Sequence, residues 1–455
     1  MIDLIKEKIK GKKILILGYG REGESTYCFF KKYFPNVKLA IADKNANAFE
    51  SIKNEKIKFY SGDRYLEAIL EYDLIFKTPG VSLNHVNFKF DKNTITSQTD
   101  IFLECYHRQI IGITGTKGKS TTSSLIYHIM KLYTDDVLLV GNIGVPPFNV
   151  FEQIRSTTCI VYELSSHQLE YIHKAPHISI LLSIFQEHLD YYKSFEDYKQ
   201  AKFNIFRFQE AYDYFIYDAD DKASREFIKS QEYADNCYTF SLKNKCNFGC
   251  YVLDGSIFFS EDGDAYPIYD IYQERKLKGS HNLLNIMAAI CACKLYGIPD
   301  NNIIEGVNFF KGLEHRIEYV GNFNRIDYYN DSIATIPEAT IEAIKTLEDV
   351  NTVILGGYDR GVDYSYLVDY LIKSSVKNII FMGKAGERMY QMISKKKPNK
   401  NLIIADSLED AVTVAKQKTV KDGICLLSPA ASSYDSFRNF EERGEVYKKI
   451  VKSVL

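Results

Sequence analysis

The chain has 455 residues, which is too long for one hydrophobic core and predicts two or three domains. It is 45% hydrophobic and 25% charged, as in ordinary soluble globular proteins. Its formal net charge of -2 argues against a broad nucleic-acid surface, which needs clustered positive charge. The segment after Met1 lacks a signal-peptide core, and no run of about 18 apolar residues follows. We therefore expect a cytoplasmic protein without membrane insertion.

The nine cysteines favour the same compartment. Their count is odd, and none forms a C-x-x-C pair or a set with zinc spacing. Cys246 and Cys250 are close enough in sequence to bind a metal, but two ordinary thiols in a loop or strand are the simpler interpretation. Reduced thiols in the cytosol fit best.

The first region begins as a βαβ unit. Short apolar runs predict strands, and a segment with helical spacing lies between the first two, so that the elements fall at 13–17 (strand), 24–34 (helix), 38–42 (strand) and 73–76 (strand). The turn Thr78-Pro79-Gly80 follows the last strand. This region ends near residue 105.

A glycine-rich loop, Gly18-Tyr19-Gly20-Arg21-Glu-Gly23, follows the first strand, and Asp43 follows the second. This pattern is the dinucleotide fingerprint, which taken alone suggests NAD. Any pyrophosphate can use the same helix end, so a nucleotide-diphosphate-linked substrate fits as well. A tight strand–helix turn without a ligand is the remaining alternative.

The second region carries a phosphate loop, Gly115-Thr116-Lys117-Gly118-Lys119-Ser120-Thr121, between a strand at 109–114 and a helix from Ser120. Glycines let backbone N–H groups approach phosphate oxygens, and the helix N-terminus adds partial positive charge. Lys119 is expected against the β- and γ-phosphates, and Ser120 on Mg²⁺. The spacing is not the standard one, because Ile113 stands where that pattern needs glycine. ATP binding still outweighs a merely basic turn.

Polar residues follow the next predicted strands of this region, at 159–162 and 178–184. Glu163 is expected to serve Mg²⁺, with a buried helix-capping carboxylate as the alternative. His188 and Asp190 follow the later strand, and a hydrogen-bonded core histidine is the alternative there. Lys202 lies on a predicted helix, where a lone lysine ordinarily faces solvent.

The last region again alternates strand and helix, with strands predicted at 353–355, 378–381, 402–405 and 424–427. The sequence therefore predicts an α/β fold of three domains on mostly parallel sheets. These are a Rossmann-like N-terminal domain, a central P-loop-type domain and a Rossmann-like C-terminal domain, at 1–105, 106–311 and 312–455.

In this order the motifs resemble those of the Mur ligases of peptidoglycan synthesis, and within that family the glutamate-adding branch. The match includes the phosphate loop, Glu163-Leu-Ser-Ser-x-Gln-Leu169, His188-Leu-Asp190, His315-Arg-x-Glu318 and Leu427-Ser-Pro-Ala430. The resemblance implies a monomer that joins glutamate to UDP-N-acetylmuramoyl-L-alanine through an acyl-phosphate, with ATP and Mg²⁺. It also implies that residues of the last domain close over the middle one.

The resemblance also implies residue roles. Lys119, Glu163, His188 and Lys202 are the expected catalytic residues, and Lys202, carbamylated by CO₂, would join Ser120, Glu163 and His188 in holding metal. ATP would be bound by 115–121 together with Asn282, Arg316 and Asp331. The UDP part would be bound by Gly18, Tyr19, Gly20, Arg21, Asp43, Thr78, Pro79, Gly80 and Asn142. Arg360, Ser433 and Phe437 would hold the incoming amino acid.

Two positions depart from the family pattern. Ile333 replaces a lysine that helps to hold the glutamate carboxylate, and Lys117 replaces an asparagine. Arg360 offers a bidentate substitute for the missing lysine. D-glutamate is the expected substrate, and L-glutamate or another amino acid stays open. Another Mur-type or folylpolyglutamate-type ligase, a non-catalytic nucleotide-binding module and an NAD oxidoreductase are the rival interpretations.

Overall fold

The computed structural model describes residues 1–55, 57–143, 145–187, 191–231, 236–273, 275–277 and 279–453. His188 and Asp190 lie outside the described residues. The chain divides into two compact units, Met1–Phe310 and Lys311–Leu455. Within the described ranges, no helix is both long and apolar enough to cross a membrane.

The first sheet of the N-terminal unit is parallel, with the strand order β3-β2-β1-β4-β5. Its strands are β1 (Ile14–Leu17), β2 (Leu39–Asp43), β3 (Lys58–Ser61), β4 (Leu74–Lys77) and β5 (Ile95–Thr96). The accompanying helices are α1 (Ile2–Ile9), α2 (Arg21–Tyr33) and α3 (Gln98–Tyr106). Strand order reverses between β1 and β4, and in such sheets ligands bind at the carboxyl ends beside this point.

The second sheet of this unit has the order β14-β13-β12-β11-β10-β9-β6-β8-β7. Its strands are β6 (Ile110–Thr114), β7 (Val137–Gly141), β8 (Cys159–Glu163), β9 (Ile178–Leu181), β10 (Tyr214–Asp218), β11 (Cys237–Ser241), β12 (Gly249–Leu253), β13 (Ser256–Glu261) and β14 (Asp264–Asp270). Its helices are α4 (Lys119–Tyr133), α5 (Ser166–Leu169), α6 (Phe195–Arg207), α7 (Lys222–Lys229), α8 (Ser280–Leu295) and α9 (Asp300–Phe309). Pairing is parallel from β7 to β12 and antiparallel from β12 to β14.

The C-terminal unit contains a sheet with the order β15-β16-β20-β17-β18-β19, in which the β15–β16 pair is antiparallel. Its strands are β15 (Glu318–Phe323), β16 (Ile326–Asn330), β17 (Val350–Gly356), β18 (Asn378–Met382), β19 (Asn401–Ala405) and β20 (Gly423–Leu427). Its helices are α10 (Pro337–Leu347), α11 (Ser365–Lys373), α12 (Gly383–Ser394), α13 (Leu408–Lys418) and α14 (Phe440–Ser453).

The predicted α/β class with mostly parallel sheets is confirmed. The central strands are buried on both faces and read as continuous apolar runs, which is why the sequence revealed them. The strand predicted at 178–184 ends earlier, at Leu181, and the chain then runs along the phosphate loop, where the Ser183 carbonyl oxygen accepts from the Thr116 N–H at 3.0 Å. The division into three domains at 105/106 and 311/312 stays a prediction.

Candidate functional site

A cavity of about 460 Å³ opens at the carboxyl ends of β1, β2 and β4, beside the reversal of strand order. It is lined by Gly18, Gly20, Arg21, Glu22, Asp43, Lys44, Tyr65, Thr78, Pro79, Gly80, Val81, Gly141, Asn142, Pro146 and Gln168. The structure thus brings together the predicted UDP-binding residues from four separate segments. Tyr19, the remaining one, is buried against Tyr27 and Phe49 and offers its backbone N–H to Asp43 at 2.7 Å.

The glycine loop at this cavity needs a residue without a side chain. Gly18 has a φ of +94°, and a Cβ there would stand 2.0 Å from Thr78 Oγ1. The close approach joins the loop after β1 to the turn after β4. Arg21 then reaches the second sheet, where its Nη2 donates to the carbonyl oxygens of Gly141 and Asn142 at 3.3 Å each.

Two charged residues were missed by the sequence analysis: Glu22, which lines this cavity, and Lys77, which directly precedes the lining residue Thr78. Burial raises the pKa of the Glu22 carboxyl to about 7 although Lys77 opposes the shift. Lys77 ends β4 with a side chain that is 2% exposed, and burial lowers its pKa to about 8 against the opposing charges of Glu170 and Glu22. The signal that could have revealed Lys77 is a lysine ending an apolar strand directly before Thr78.

The phosphate loop connects β6 to α4. Two of its glycines have positive φ angles, which residues with a side chain rarely adopt. Gly115 and Gly118 have φ values of +152° and +84°. A Cβ on Gly115 would lie 2.6 Å from Leu182 Cβ, and one on Gly118 would lie 2.3 Å from Asn285 Oδ1. The loop is therefore held against the segment that follows β9 and against α8 at a distance that only glycine permits.

Two lysines converge on this loop. Lys119 Nζ donates to the carbonyl oxygens of Gly115 and Thr116 at 2.9 and 3.0 Å. Lys202 Nζ, on α6, donates to the Gly115 oxygen at 2.7 Å. Lys202 is 1% exposed, contrary to the solvated face that a lone helical lysine suggests. Burial, and then the Lys119 charge, lower the pKa of Lys202 well below its usual value.

Other parts of the loop are also bonded. Thr116 Oγ1 shares a hydrogen bond of 2.9 Å with the Tyr198 hydroxyl, and the Lys202 ammonium lies 4.8 Å from the Tyr198 ring centroid. Lys117 forms an ion pair with Glu187. Ser120 and Thr121 belong to the first turn of α4, where backbone N–H groups have no partner within the helix.

Glu163 ends β8, as predicted, and is fully buried. Its Oε1 accepts from Asn142 Nδ2 at 2.7 Å, and its Oε2 lies 3.5 Å from Ser123 Oγ of α4. Asn142 also lines the cavity at the first sheet. A single amide side chain therefore links the cavity to the carboxylate beside the phosphate loop.

Asn282 lies in the first turn of α8 and reaches the loop through Asn285, which the sequence analysis missed. Asn285 Nδ2 donates to Asn282 Oδ1 at 3.0 Å, while Asn285 Oδ1 accepts from Thr122 Oγ1 at 3.2 Å. Their helical spacing of three residues was the available signal.

Asp331 and Arg316 lie near the start of the C-terminal unit. Asp331 is buried, and its two carboxylate oxygens accept from Ser428 Oγ at 2.7 Å and from the Ile317 N–H at 3.2 Å. Burial raises the pKa of Asp331 to about 7, although Ser428, Arg316 and the Ile317 N–H oppose the shift. Arg316 stands between two residues with positive φ, His315 and Ile317.

The predicted amino-acid residues of this unit fall in two loops. Arg360 follows β17 and donates to the Thr335 carbonyl oxygen at 3.1 Å. Ser433 is buried after β20, and its carbonyl oxygen accepts from the N–H of Phe437 at 2.9 Å. The Phe437 side chain is partly buried and packs against a core cluster of this unit. Ile333 is partly buried and donates its N–H to the His315 carbonyl oxygen at 3.1 Å.

Arg443, which the sequence analysis missed, joins the segments around Ser332 and Ala431. Its guanidinium donates to Ser332 Oγ at 3.0 Å and to the carbonyl oxygens of Ser332 and Ala431 at 2.8 and 3.1 Å. Burial lowers its pKa to about 10. An arginine in the first turn of the last helix gives no sequence signal of this role.

The phosphate loop lies between the buried strand β6 and helix α4. This arrangement places the chain in the class of P-loop nucleotide-binding α/β proteins. A family model described as the Mur ligase middle domain matches residues 113–293, and one described as the Mur ligase, glutamate ligase domain matches residues 315–431.

Full-length relatives carry more specific names. A protein of Acetivibrio thermocellus named UDP-N-acetylmuramoylalanine–D-glutamate ligase is 33% identical, with 99% of this chain and 98% of the relative covered. One of the same name from Thermoanaerobacter sp. is 35% identical, with 98% and 99% covered. The chain belongs to the Mur ligase family, as its motifs predicted. The prediction of an ATP-dependent amide-forming ligase is thereby confirmed over the oxidoreductase and non-catalytic interpretations.

Solved structures agree on the fold. The UDP-N-acetylmuramate-alanine ligase of Thermotoga maritima has a TM-score of 0.57 at 17% identity, with 98% of this chain and 100% of that chain covered. The MurF ligase of the same organism, solved in complex with ADP, has a TM-score of 0.57 at 15% identity, with 98% and 97% covered.

Proposed function

We propose that this chain joins D-glutamate to UDP-N-acetylmuramoyl-L-alanine at the expense of ATP, in peptidoglycan precursor synthesis. The observation that carries the proposal is the position of Asn142. It lines the cavity of the predicted UDP-binding residues and donates to Glu163 beside the phosphate loop. A substrate anchored in that cavity by its diphosphate would extend its free carboxylate towards the γ-phosphate of ATP.

The proposed chemistry follows from the poor reactivity of a carboxylate towards amines. A carboxylate oxygen attacks the γ-phosphorus of ATP, ADP leaves, and an acyl-phosphate forms. The amine of glutamate then attacks the acyl carbon, phosphate leaves with the electrons of the C–O bond, and the amine releases a proton. The protein contributes mainly positioning and charge neutralisation. Lys119, together with the N–H groups of residues 115–121, would bind the phosphates.

The residues present fit Mg²⁺. Glu163 is a buried carboxylate surrounded by amide and hydroxyl groups, and oxygen donors are the ligands that Mg²⁺ prefers. Ser120 and Glu163 would hold one ion, and His188 with carbamylated Lys202 a second. Mg²⁺, when bound, neutralises charge on the phosphates.

Carbamylation of Lys202 is supported by its surroundings. Its amine is buried beside Lys119, which disfavours the ammonium form. A neutral amine can attack CO₂ to form an N–C bond, and loss of a proton leaves a carbamate anion. This change would replace a positive charge next to Lys119 with a negative one.

The amino acid would be held by Arg360, Ser433 and Phe437 in the C-terminal unit, and ATP also by Asn282, Arg316 and Asp331. The Ile333 side chain has no donor for a carboxylate, and we assign that contact to Arg360 instead. We further propose a cytoplasmic monomer that serves cell-wall formation, and through it cell shape and division.

The test is release of ADP by the purified chain supplied with UDP-N-acetylmuramoyl-L-alanine, Mg-ATP and one amino acid at a time. We expect turnover with D-glutamate, and a selective rise in KM for D-glutamate in Arg360→Ala. Turnover with L-glutamate alone would overturn the choice of enantiomer. ADP release that is independent of any amino acid would contradict coupled ligation.

A further inference from the structure

A strained turn stands near the start of the C-terminal unit, on both sides of Arg316. His315 has a φ of +62° and Ile317 a φ of +46°. A β-branched residue such as isoleucine rarely adopts this conformation, because its side chain crowds the backbone. Such a turn persists only where surrounding contacts hold it.

The carboxylate of Glu318 supplies the first of those contacts. Its Oε2 accepts from the backbone N–H of His315 at 2.8 Å and from Asn330 Nδ2 at 2.9 Å. Its Oε1 accepts from Lys448 Nζ at 3.0 Å. Each carboxylate oxygen is therefore engaged, and one of them binds the strained backbone directly.

Further contacts hold the remainder of the turn. The Ile317 N–H donates to Asp331 Oδ1, and the His315 carbonyl oxygen accepts from the Ile333 N–H. The backbone on both sides of Arg316 is thus bonded to the segment from Asn330 to Ile333. The backbone around Arg316, one of the two ATP-binding residues proposed for this unit, is therefore hydrogen-bonded to the segment that contains the other, Asp331.

We propose that Glu318 is a positioning residue for ATP, which holds the 315–317 turn in its strained form so that Arg316 and Asp331 keep their arrangement for the nucleotide. This inference rests on the proposed function, and it assigns to Glu318 a role through Arg316 without contact to ATP.

Two neighbouring glutamates, Glu314 and Glu445, are more exposed to solvent than Glu318. Lys448 Nζ also lies 2.7 Å from Glu445 and 3.9 Å from Glu314. The side chains of Glu314 and Glu445 are 76% and 47% exposed, whereas that of Glu318 is 18% exposed. Exposed pairs of this kind contribute little to stability.

Because Lys448 already places a positive charge here, the group Glu314, His315 and Glu445 is assigned no metal.

The experiment compares Glu318→Ala, Glu318→Gln and Glu314→Ala by steady-state kinetics. Glu314→Ala is the matched control, because it removes a glutamate that also lies near Lys448 but whose side chain is 76% exposed. We expect Glu318→Ala to raise KM for ATP about tenfold or more, and to leave KM for UDP-N-acetylmuramoyl-L-alanine within about twofold. Glu318→Gln should show a smaller rise, because its amide oxygen can still accept from the His315 N–H.

A merely structural role would lower the active fraction, and so kcat, without changing KM for ATP. An unchanged KM for ATP in Glu318→Ala, or an equal rise in Glu314→Ala, would overturn the inference. If the alanine variant does not fold, the same comparison is made with Glu318→Gln. A wild-type chain without ligase activity would instead contradict the proposed function, and Arg316→Ala tests the nucleotide role of Arg316 separately.

Discussion

The ammonium group of Lys202 lies 2.7 Å from the carbonyl oxygen of Gly115, so a buried lysine of α6 is bonded to the phosphate loop itself. We predict that Lys202→Ala lowers kcat by at least about 100-fold, because a charged group that completes the catalytic centre is lost. Wild-type activity should also fall when bicarbonate and CO₂ are removed.

The control for this prediction is Lys199→Ala. Lys199 lies on the same helix but is partly exposed and paired with Glu196 at 2.6 Å, so its loss should leave kcat nearly unchanged. Near-native turnover of Lys202→Ala, together with indifference to bicarbonate, would exclude the carbamate role.

The phosphate loop predicts a different effect for Gly118→Ala. The Cβ of the new alanine would stand 2.3 Å from Asn285 Oδ1, at a residue whose φ is +84°. The loop must shift, so we expect KM for ATP to rise about tenfold or more. Gly11→Ala is the matched control, since Gly11 has a φ of +71° and open space around its Cβ position. It should cost about 1 kcal/mol of stability and leave KM for ATP unchanged.

Asp331 predicts a pH dependence of stability. Its pKa is raised from 3.8 to about 7 in the folded chain. Between these values the folded state binds a proton that the unfolded state has released, so the contribution of Asp331 to stability falls as pH rises. The free energy of unfolding of wild type, minus that of Asp331→Asn, should fall by up to about 1.4 kcal/mol per pH unit between pH 5 and 7. Urea titrations of both proteins measure this difference, and a flat difference would contradict the buried carboxyl.

The hydroxyl of Tyr191 predicts a loss of stability on removal. It accepts from Lys77 Nζ at 2.9 Å and lies 2.9 Å from the Val81 carbonyl oxygen and 3.0 Å from Glu170 Oε2. Tyr191→Phe removes one hydrogen bond from the buried Lys77 and one from Glu170, so we expect a loss of about 1–3 kcal/mol in the free energy of unfolding.

The matched control is Tyr60→Phe, whose hydroxyl meets the exposed pair Lys58 and Glu71. Its loss should cost less than about 1 kcal/mol. Equal losses from the two substitutions would show that the buried group contributes no more than an exposed one.

The sequence revealed the parallel strands better than the antiparallel edges. The strands β6, β8 and β9 are buried on both faces and stand out as apolar runs. The hairpins β12–β13 and β13–β14 were missed, although their turns carry the dipeptides Asp254-Gly255 and Asp262-Gly263 with positive φ. This is the expected signal of a tight hairpin. Most residues of β14 are exposed, so this strand lacks the apolar run by which the buried strands were recognised.

The candidate site was predictable where its residues follow strands and form motifs, as Glu163 and the phosphate loop do. Contacts between distant segments were not predictable. The bond between Lys77 and Tyr191, which is 114 positions away, is visible only in the structure. Glu318 belongs to a recognised motif, but its role depends on the backbone conformation of His315, which sequence spacing does not reveal.

The central claim, ligation through an acyl-phosphate, is tested most directly by isotope transfer. UDP-N-acetylmuramoyl-L-alanine carrying ¹⁸O in both oxygens of its free carboxylate is incubated with the chain, Mg-ATP and D-glutamate, and the released phosphate is analysed by mass spectrometry. We predict one ¹⁸O atom in each phosphate and one retained in the new amide. Product formation with no ¹⁸O in the phosphate would contradict the account.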